Sequence, residues 1–521
     1  MVLLIFLKIG VVGARSQRAC RTHGSVAVSL IPIVRHHQPA VSSGRIAWAE
    51  EVAIRLREEH PEFAVKELFQ PLVADHLSDE GTVHLDDLSA IPGLDRFYDV
   101  TFLEDRARLR AGDGDFVVSC SHPVPRWERY CREHLGLGSV AWLHPEPKRN
   151  PLCVAAACWT DRDVRRTLIG ALRSGKLRYL HPHLGSFPVW AAAALLQRAS
   201  RRPLKVIAPP PGLTQRVNDK VWFAQTVRRL FGAESVPWTA SAHNPATVAA
   251  LVREVAPITS RVVIKLPDSA GGAGNLVFDS SRFRNRSLGE IRRDLKEALP
   301  DFIWSGERVL VACWETEVLY APSAQLWVPS AAEGPPVVEG VFEQLLEGPE
   351  GLFAGSRPAT LPGDIVQQIV DRSWLLGYLF QRLGYIGRCS FDLLLVGANL
   401  ASSRLEFIEC NGRWGGTSAP MTLMNRVFGD FRVRPYAARK IIVPHLDGVS
   451  FADVLEYLGA DLFDIRTGAG DLILYSPAVN PSSGMQVLAL ADSWEAATRR
   501  INSAVPLKLK AMVDGSAVEP A

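Results

Sequence analysis

From about Gly44 onward the chain alternates short apolar runs with segments in which apolar residues recur every three or four positions. Runs at Phe116 to Cys120, Val140 to Leu143, Leu177 to Leu180 and Leu204 to Ala208 predict strands. Between them, Pro125 to His134, Asp161 to Arg173 and Pro188 to Gln197 predict helices. This alternation predicts an open, mostly parallel sheet covered by helices. Helical spacing also marks Arg45 to Glu59, whereas the stretch up to Arg108 is less ordered, and Pro-Pro-Pro-Gly at 209 to 212 punctuates the end of the region.

A helix opened by Asn218-Asp219-Lys220 carries Phe223, Val227, Leu230 and Phe231 on one face, and Asn218 or Asp219 can cap it. Then come a helix (Pro245 to Val255), a strand (Arg261 to Leu266), a Gly-rich loop, a helix (Leu288 to Leu299) and a strand (Val309 to Trp314). A long β-rich stretch leads to a helix at Ile365 to Leu383 and two strands flanking a turn from Gly397 to Ser403. Beyond Phe431 the pattern predicts strands at Leu472 to Tyr475 and Met485 to Leu490 and a helix at Ser493 to Asn502.

Composition narrows the function. A chain of 521 residues with 47% apolar and 22% charged residues has material for about three packed cores and is not disordered. A formal charge of +3 over that surface gives no electrostatic case for a nucleic-acid partner. The eight cysteines form no CxxC pair and sit mostly in apolar runs, which predicts reduced thiols and a cytoplasmic protein. Val2 to Gly13 is apolar but too short to span a bilayer, is interrupted by Lys8 and has no basic segment before it. It reads as part of an irregular extension over residues 1–43, with a secretory signal segment as the alternative and no membrane partner.

Two segments carry candidate chemistry. In the first, Lys265 ends the β-branched run Val262-Val263-Ile264, where an ammonium needs an anionic partner, and Gly271, Gly272 and Gly274 free the backbone after it to turn N–H groups toward a phosphate. Alone, the stretch reads equally as a Gly-rich hairpin with a snorkelling lysine. In the second, pairing Ser390 to Val396 with Arg404 to Thr417 about a centre between 400 and 401 sets Asp392 opposite Glu409, with Asn411 two residues on along the same face. Two carboxylates and an amide oxygen on apolar strands call for a cation, and all-oxygen donors suit Mg²⁺ or Mn²⁺ shared with phosphates. The bland alternative makes Asp392 a strand-end acid and Glu409 a partner for Arg413. Glu406, on the opposite face by parity, reads as solvated.

Taken together and in this order, the segments resemble the ATP-grasp superfamily over about Asn218 to Gly429. The resemblance implies that Lys265 and the glycines after it bind ATP, and that Lys220 reaches the α- and β-phosphates. It implies that Val309 to Glu317 forms the adenine hinge with Trp314 and Glu315 or Glu317, and that Asp392, Glu409 and Asn411 hold Mg²⁺ (or Mn²⁺). Ser390 stands where D-alanine-D-alanine ligases carry an arginine, so Arg413, with N–H groups near Gly415 and Gly416, takes oxyanion stabilisation as in the biotin carboxylase branch. Ala321 to Gln325, Glu343-Gln344 and Gly355 to Pro358 further resemble the pheganomycin-type peptide ligases.

The architecture so implied is α/β and α+β. A pre-ATP-grasp parallel-sheet domain over 44–215 precedes an ATP-grasp domain over 216–430, with lobes of about 216–310 and 311–430, and a small α+β region follows over 431–521. The implied activity is ATP-dependent joining of a small-molecule or peptide carboxylate to an amine, by a monomer or homodimer. A carboxylase, a phosphotransferase or a non-catalytic nucleotide-binding regulator are the alternatives. Substrate specificity is expected in His181 to Phe187 and Ala208 to Arg216, helped by residues after Trp414. His181 and His183 themselves read as structural, Cys389 and Cys410 as inert packing, and Trp374, Tyr378 and Phe380 as core.

Overall fold

The computed structural model describes residues 33–515 apart from 76, 78–80, 92–100, 122, 147–152, 267–274, 300–307, 349–350 and 478–483. Most of the N-terminal extension and Gly271, Gly272 and Gly274 therefore lie outside the described residues. Three sheets organise the rest. Strands β1 (Thr82–Leu85), β2 (Phe116–Val118), β3 (Ala141–Leu143), β4 (Tyr179–Pro182) and β5 (Lys205–Val206) form a parallel sheet in the order β3-β2-β1-β4-β5. Helices Val154–Thr160, Arg162–Arg173 and Phe187–Ser200 pack together on it.

Its central strand falls in the stretch that lacks periodicity. All four residues of β1 are buried, so no polar alternation marks them. Asp115 satisfies the backbone N–H of Thr82 at 2.8 Å and the His84 ring at 3.0 Å. The strand order reverses direction between β1 and β4, which opens a crevice at their carboxyl ends. Asp86 and His183 stand there, directly after these two strands.

Strands β6 (Thr239–Ala242), β7 (Arg261–Lys265), β8 (Leu276–Asp279) and β9 (Val309–Cys313) make an antiparallel sheet ordered β6-β9-β7-β8. Helices Pro245–Val255 and Leu288–Ala298 cover one face. The other face presents Val263, Leu310 and Ala312 to the helix Lys220–Phe231.

The third sheet has nine antiparallel strands: β10 (Val318–Tyr320), β11 (Pro322–Val328), β12 (Val337–Glu347), β13 (Leu352–Pro358), β14 (Gly387–Val396), β15 (Arg404–Asn411), β16 (Tyr436–Ile441), β17 (Leu472–Leu474) and β18 (Met485–Leu490). The path runs β10-β14-β11-β12-β13-β16-β18-β17, with β15 beside β14. The last three strands thus continue the sheet across the boundary expected at 430, because β16 pairs with both β13 and β18. The helix Ser43–Glu59 also crosses an expected boundary. Its buried stripe, Ala49, Val52, Ala53 and Leu56, shares the core of helices Lys220–Phe231 and Gly363–Arg382 instead of the parallel sheet's core.

Arg388 on β14 and Glu339 on β12 form an ion pair with both side chains fully buried. The guanidinium also lies 4.8 Å from the ring centroid of Trp414, and a second guanidinium, that of Arg110, lies 5.0 Å from the same ring and is paired to Asp86. Trp414 also donates its indole N–H to His181 at 3.2 Å and its backbone N–H to the His183 carbonyl at 3.1 Å. The parallel sheet is thereby tied to the large one through one aromatic ring and two arginines. Glu339→Gln strands the Arg388 charge and should lower unfolding free energy by about 3–5 kcal/mol, whereas Glu339→Gln with Arg388→Met should recover most of it. Urea denaturation measures both; equal losses in the two proteins would contradict the pairing.

Candidate active site

A cleft of about 910 Å³ opens where the three sheets meet. Lys220, Lys265, Trp314, Glu315, Asp392, Glu409, Asn411 and Arg413 all line it, together with Gly415 and Gly416. Each arrives by a local rule. Asp219 caps the helix by accepting from the N–H groups of Val221 and Trp222, which fixes Lys220 at its first position. Asn218, the other candidate cap, has a different partner. Its Oδ1 accepts from the Gly412 N–H at 3.0 Å and from Arg413 Nη1 at 2.6 Å, which orients the guanidinium. A Cβ at Gly412 would collide with Val217, so this approach requires glycine.

The β14–β15 register pairs Asp392 with Glu409, as expected, and Ser390 with Asn411. A shift between Asp392 and Leu393 then inserts one extra residue on β15. Parity reverses there, so Glu406 is not solvated: it is 3% exposed, pairs with Arg404 at 2.9 Å and has its pKa raised by burial and by Glu315.

Charge at the cleft floor is nearly self-contained. Lys220 Nζ lies 2.9 Å from Glu409. Burial pushes the Glu409 pKa up, but Lys220, Arg413 and Lys265 outweigh it and hold the group below its ordinary value. Asp392 is raised by burial and by Glu409, with hydrogen bonds from Ser323 Oγ at 2.8 Å and Asn411 Nδ2 at 2.9 Å acting against the shift. Burial and the neighbouring Lys220 bring the Lys265 ammonium down to about 8 against the pull of Glu409.

Sequence reasoning missed the network that supports this floor. Gly415 N–H donates to Ser418 Oγ at 3.1 Å, Ser418 to Gln325 Oε1 at 2.8 Å, and Gln325 Nε2 to Ser323 Oγ at 3.0 Å, which reaches Asp392. The N–H of Gly415, expected to stabilise an oxyanion, is therefore already committed. At the hinge, Trp314 and Glu315 reach the cleft, but Glu317 is exposed and outside it, with its carbonyl accepting from Gly397 N–H. None of Ala208 to Arg216 lines the cleft; Arg216 turns to Glu62, 2.8 Å away. His183 does line it.

Among the described residues no group of three or more His, Cys, Asp or Glu is placed to hold a metal. Two carboxylates and the Asn411 amide nonetheless match a hard divalent cation that completes its shell with phosphate and water oxygens. Repulsion between Asp392 and Glu409 supports the fit, since a cation between them would relieve it.

Residues 104–198 match the family described as the Pre ATP-grasp domain. No curated protein matches the chain. Among solved structures, N5-carboxyaminoimidazole ribonucleotide synthetase in its ADP complex is similar at 12% identity and a TM-score of 0.50, covering 82% of this chain and 97% of that one. The Aspergillus clavatus N5-carboxyaminoimidazole synthase with ADP and 5-aminoimidazole ribonucleotide has 12% identity, coverages of 82% and 99% and a TM-score of 0.49. The biotin carboxylase domain of Hydrogenobacter thermophilus 2-oxoglutarate carboxylase, with MgADP and bicarbonate, has 15% identity, coverages of 78% and 91% and a TM-score of 0.47. The chain has the ATP-grasp fold.

The His183 imidazole is buried, and burial, with Arg106, Arg413 and Arg110 outweighing Asp86, lowers its pKa from 6.5 to about 3. The unfolded chain therefore binds this proton first, so stability holds above about pH 6.5 and falls as pH drops toward 3. His183→Gln removes that titration. Between pH 6 and 4 wild type should lose up to about 1.4 kcal/mol per pH unit more than the variant in urea denaturation. Parallel profiles would contradict a buried neutral imidazole.

Proposed function

We propose that the chain is an ATP- and Mg²⁺-dependent ligase that joins a carboxylate to an amine. The observation that carries this is the in-register pair Asp392–Glu409, flanked by Lys220 and Lys265 on the floor of a nucleotide-sized cleft. Trp314 and the hinge backbone take the adenine side, Glu315 stands near the ribose, and Lys220 and Lys265 offset phosphate charge. When bound, Mg²⁺ supplies charge neutralisation on the phosphates, with Asp392, Glu409 and Asn411 as the residues that would hold it. The loop with Gly271, Gly272 and Gly274 completes the phosphate site in this reading.

A substrate carboxylate oxygen attacks the γ-phosphorus, the bond from that phosphorus to the β-bridging oxygen breaks, and ADP leaves. The amine then attacks the acyl carbon of the acyl phosphate, and inorganic phosphate departs as the ammonium proton is lost. Arg413, held by Asn218, and the Gly416 N–H stabilise the tetrahedral oxyanion. The pheganomycin-type reading makes the carboxylate or amine a peptide; it gains weight because Gln344 from that motif lines the cleft and Ser323 and Gln325 brace Asp392. The reading has the enzyme acting in the cytoplasm, as a monomer or homodimer.

Incubation with Mg·ATP and pooled amino acids and dipeptides should release ADP and inorganic phosphate in step with amide product. Asp392→Asn and Glu409→Gln should each cut turnover by at least about 10³-fold with little change in the circular dichroism melt. Release of AMP and pyrophosphate, or wild-type turnover in either variant at saturating Mg²⁺, would overturn the reading.

A further inference from the structure

Behind the cleft wall lies a second, much smaller chamber of about 10 Å³, room for a single water molecule. Asp86, Arg110, His183 and Thr422 are among the residues that line it, and His183, Trp414 and Gly415 border both this chamber and the cleft. Three of these side chains carry a buried polar atom without a hydrogen-bond partner among the described residues: Arg110 Nε, His183 Nδ1 and Thr422 Oγ1. Asp86 uses one carboxylate oxygen to accept from Arg110 Nη2 at 2.5 Å and holds the other 3.8 Å from His183 Nδ1. That distance is beyond hydrogen-bond length but within reach of a shared water. A chamber this small keeps the side chains around it within a few ångströms of one another.

Counting protons and lone pairs selects one arrangement. Arg110 Nε–H can only donate, and the Asp86 carboxylate, held ionised by Arg110, can only accept. A water accepts two hydrogen bonds and donates two. It therefore satisfies the whole set when the Thr422 hydroxyl donates to it alongside Arg110, and when Asp86 and His183 Nδ1 both accept from it. A proton on Nδ1 would present a third donor and leave one buried proton with no acceptor, which is costly. The ring is neutral, because burial and the surrounding arginines outweigh Asp86, so an accepting Nδ1 puts its one proton on Nε2. The charge of Arg413 acts on this ring, which places His183 near the guanidinium that takes the oxyanion in the ligase reading. The adjacent backbone offers less there, since the Gly415 N–H is committed to Ser418.

We propose that the small chamber binds one ordered water, and that this water holds His183 as the Nε2–H tautomer, so that the ring donates a hydrogen bond to an acyl oxygen of the substrate. His183 is then a catalytic donor beside Arg413, and Asp86, Arg110 and Thr422 are positioning residues that act through the water. What the donor meets rests on the ligase reading; the water and the tautomer do not.

A crystal structure at a resolution that shows ordered waters should place one within hydrogen-bond distance of Arg110 Nε, Thr422 Oγ1, Asp86 Oδ2 and His183 Nδ1. A direct bond from Nδ1 to Asp86, or a chamber without water, would overturn the proposal. In NMR spectra of protein carrying nitrogen-labelled histidine, the His183 signals are identified by their loss in His183→Gln and should show a bare Nδ1 and a protonated Nε2 at neutral pH. Thr422→Val keeps the shape but removes one donor, which leaves the water free to accept from the ring, so the spectrum should shift toward the Nδ1–H form. An Nδ1–H ring in the wild type, or an unchanged spectrum in Thr422→Val, would contradict the account. With Mg·ATP and the pool of amino acids and dipeptides, His183→Gln, whose amide can still donate, should keep kcat within about tenfold. His183→Leu should lose at least about 10²-fold while the KM for ATP stays within about threefold, and equal losses in the two variants would overturn the donor role. If the wild type releases no ADP from this pool, the ligase reading alone is at fault, and the crystal structure and the spectra decide the proposal.

Discussion

Two carboxylates brought face to face on adjacent strands are the constraint around which the cleft is built. Asp392 and Glu409 repel each other in a buried setting, and the fold answers with cations from three separate stretches of chain. Lys220 comes from a helix N-terminus, Lys265 from the end of β7 and Arg413 from the turn after β15. None of these would be tolerated in such surroundings without the acids, nor the acids without them. The helix, the four-stranded sheet and the nine-stranded sheet are thus held in register by charge as well as by packing. That arrangement also leaves positive potential poised for a polyanion, which is why the geometry suits a nucleoside triphosphate so well.

The elements around this site differ in how far the sequence reveals them. The helices Pro245–Val255 and Lys220–Phe231 and the strand Met485–Leu490 carry clear periodicity or runs, and they form where the pattern predicts. The Asp392–Glu409 pairing was legible because a short turn between two apolar runs leaves little freedom in register. The bulge beside it was not, since one inserted residue changes the parity of everything before it without altering composition, and Glu406 changed sides accordingly. β1 escaped for the opposite reason: a strand buried on both faces shows no alternation, and its Thr82 and His84 are reconciled to burial with the help of Asp115, more than thirty positions on.

Contacts between distant segments were the least legible. Nothing near Asn218 announces that its amide carbonyl would hold Arg413, because a helix-start asparagine is ordinarily read as a cap. Likewise Trp414 owes its place to Arg388 on a strand and Arg110 on the helical turn Asp105–Arg110, and Lys440, Gln486 and Tyr475 are brought side by side through strand pairing. The loop after Pro209 was expected beside the substrate on fold-level grounds, but it instead packs its arginine against Glu62. Chemistry concentrated in one stretch can be read locally; chemistry assembled across sheets requires the topology.

The central claim is that a nucleotide's phosphates lie between the two lysines and the two acids. A crystal structure with Mg·ADP tests it most directly. The account predicts the β-phosphate within hydrogen-bond reach of Lys220 and Lys265, a Mg²⁺ bridging it to Asp392 and Glu409, and adenine beside Trp314. Nucleotide bound elsewhere, or a metal held without either carboxylate, would contradict it.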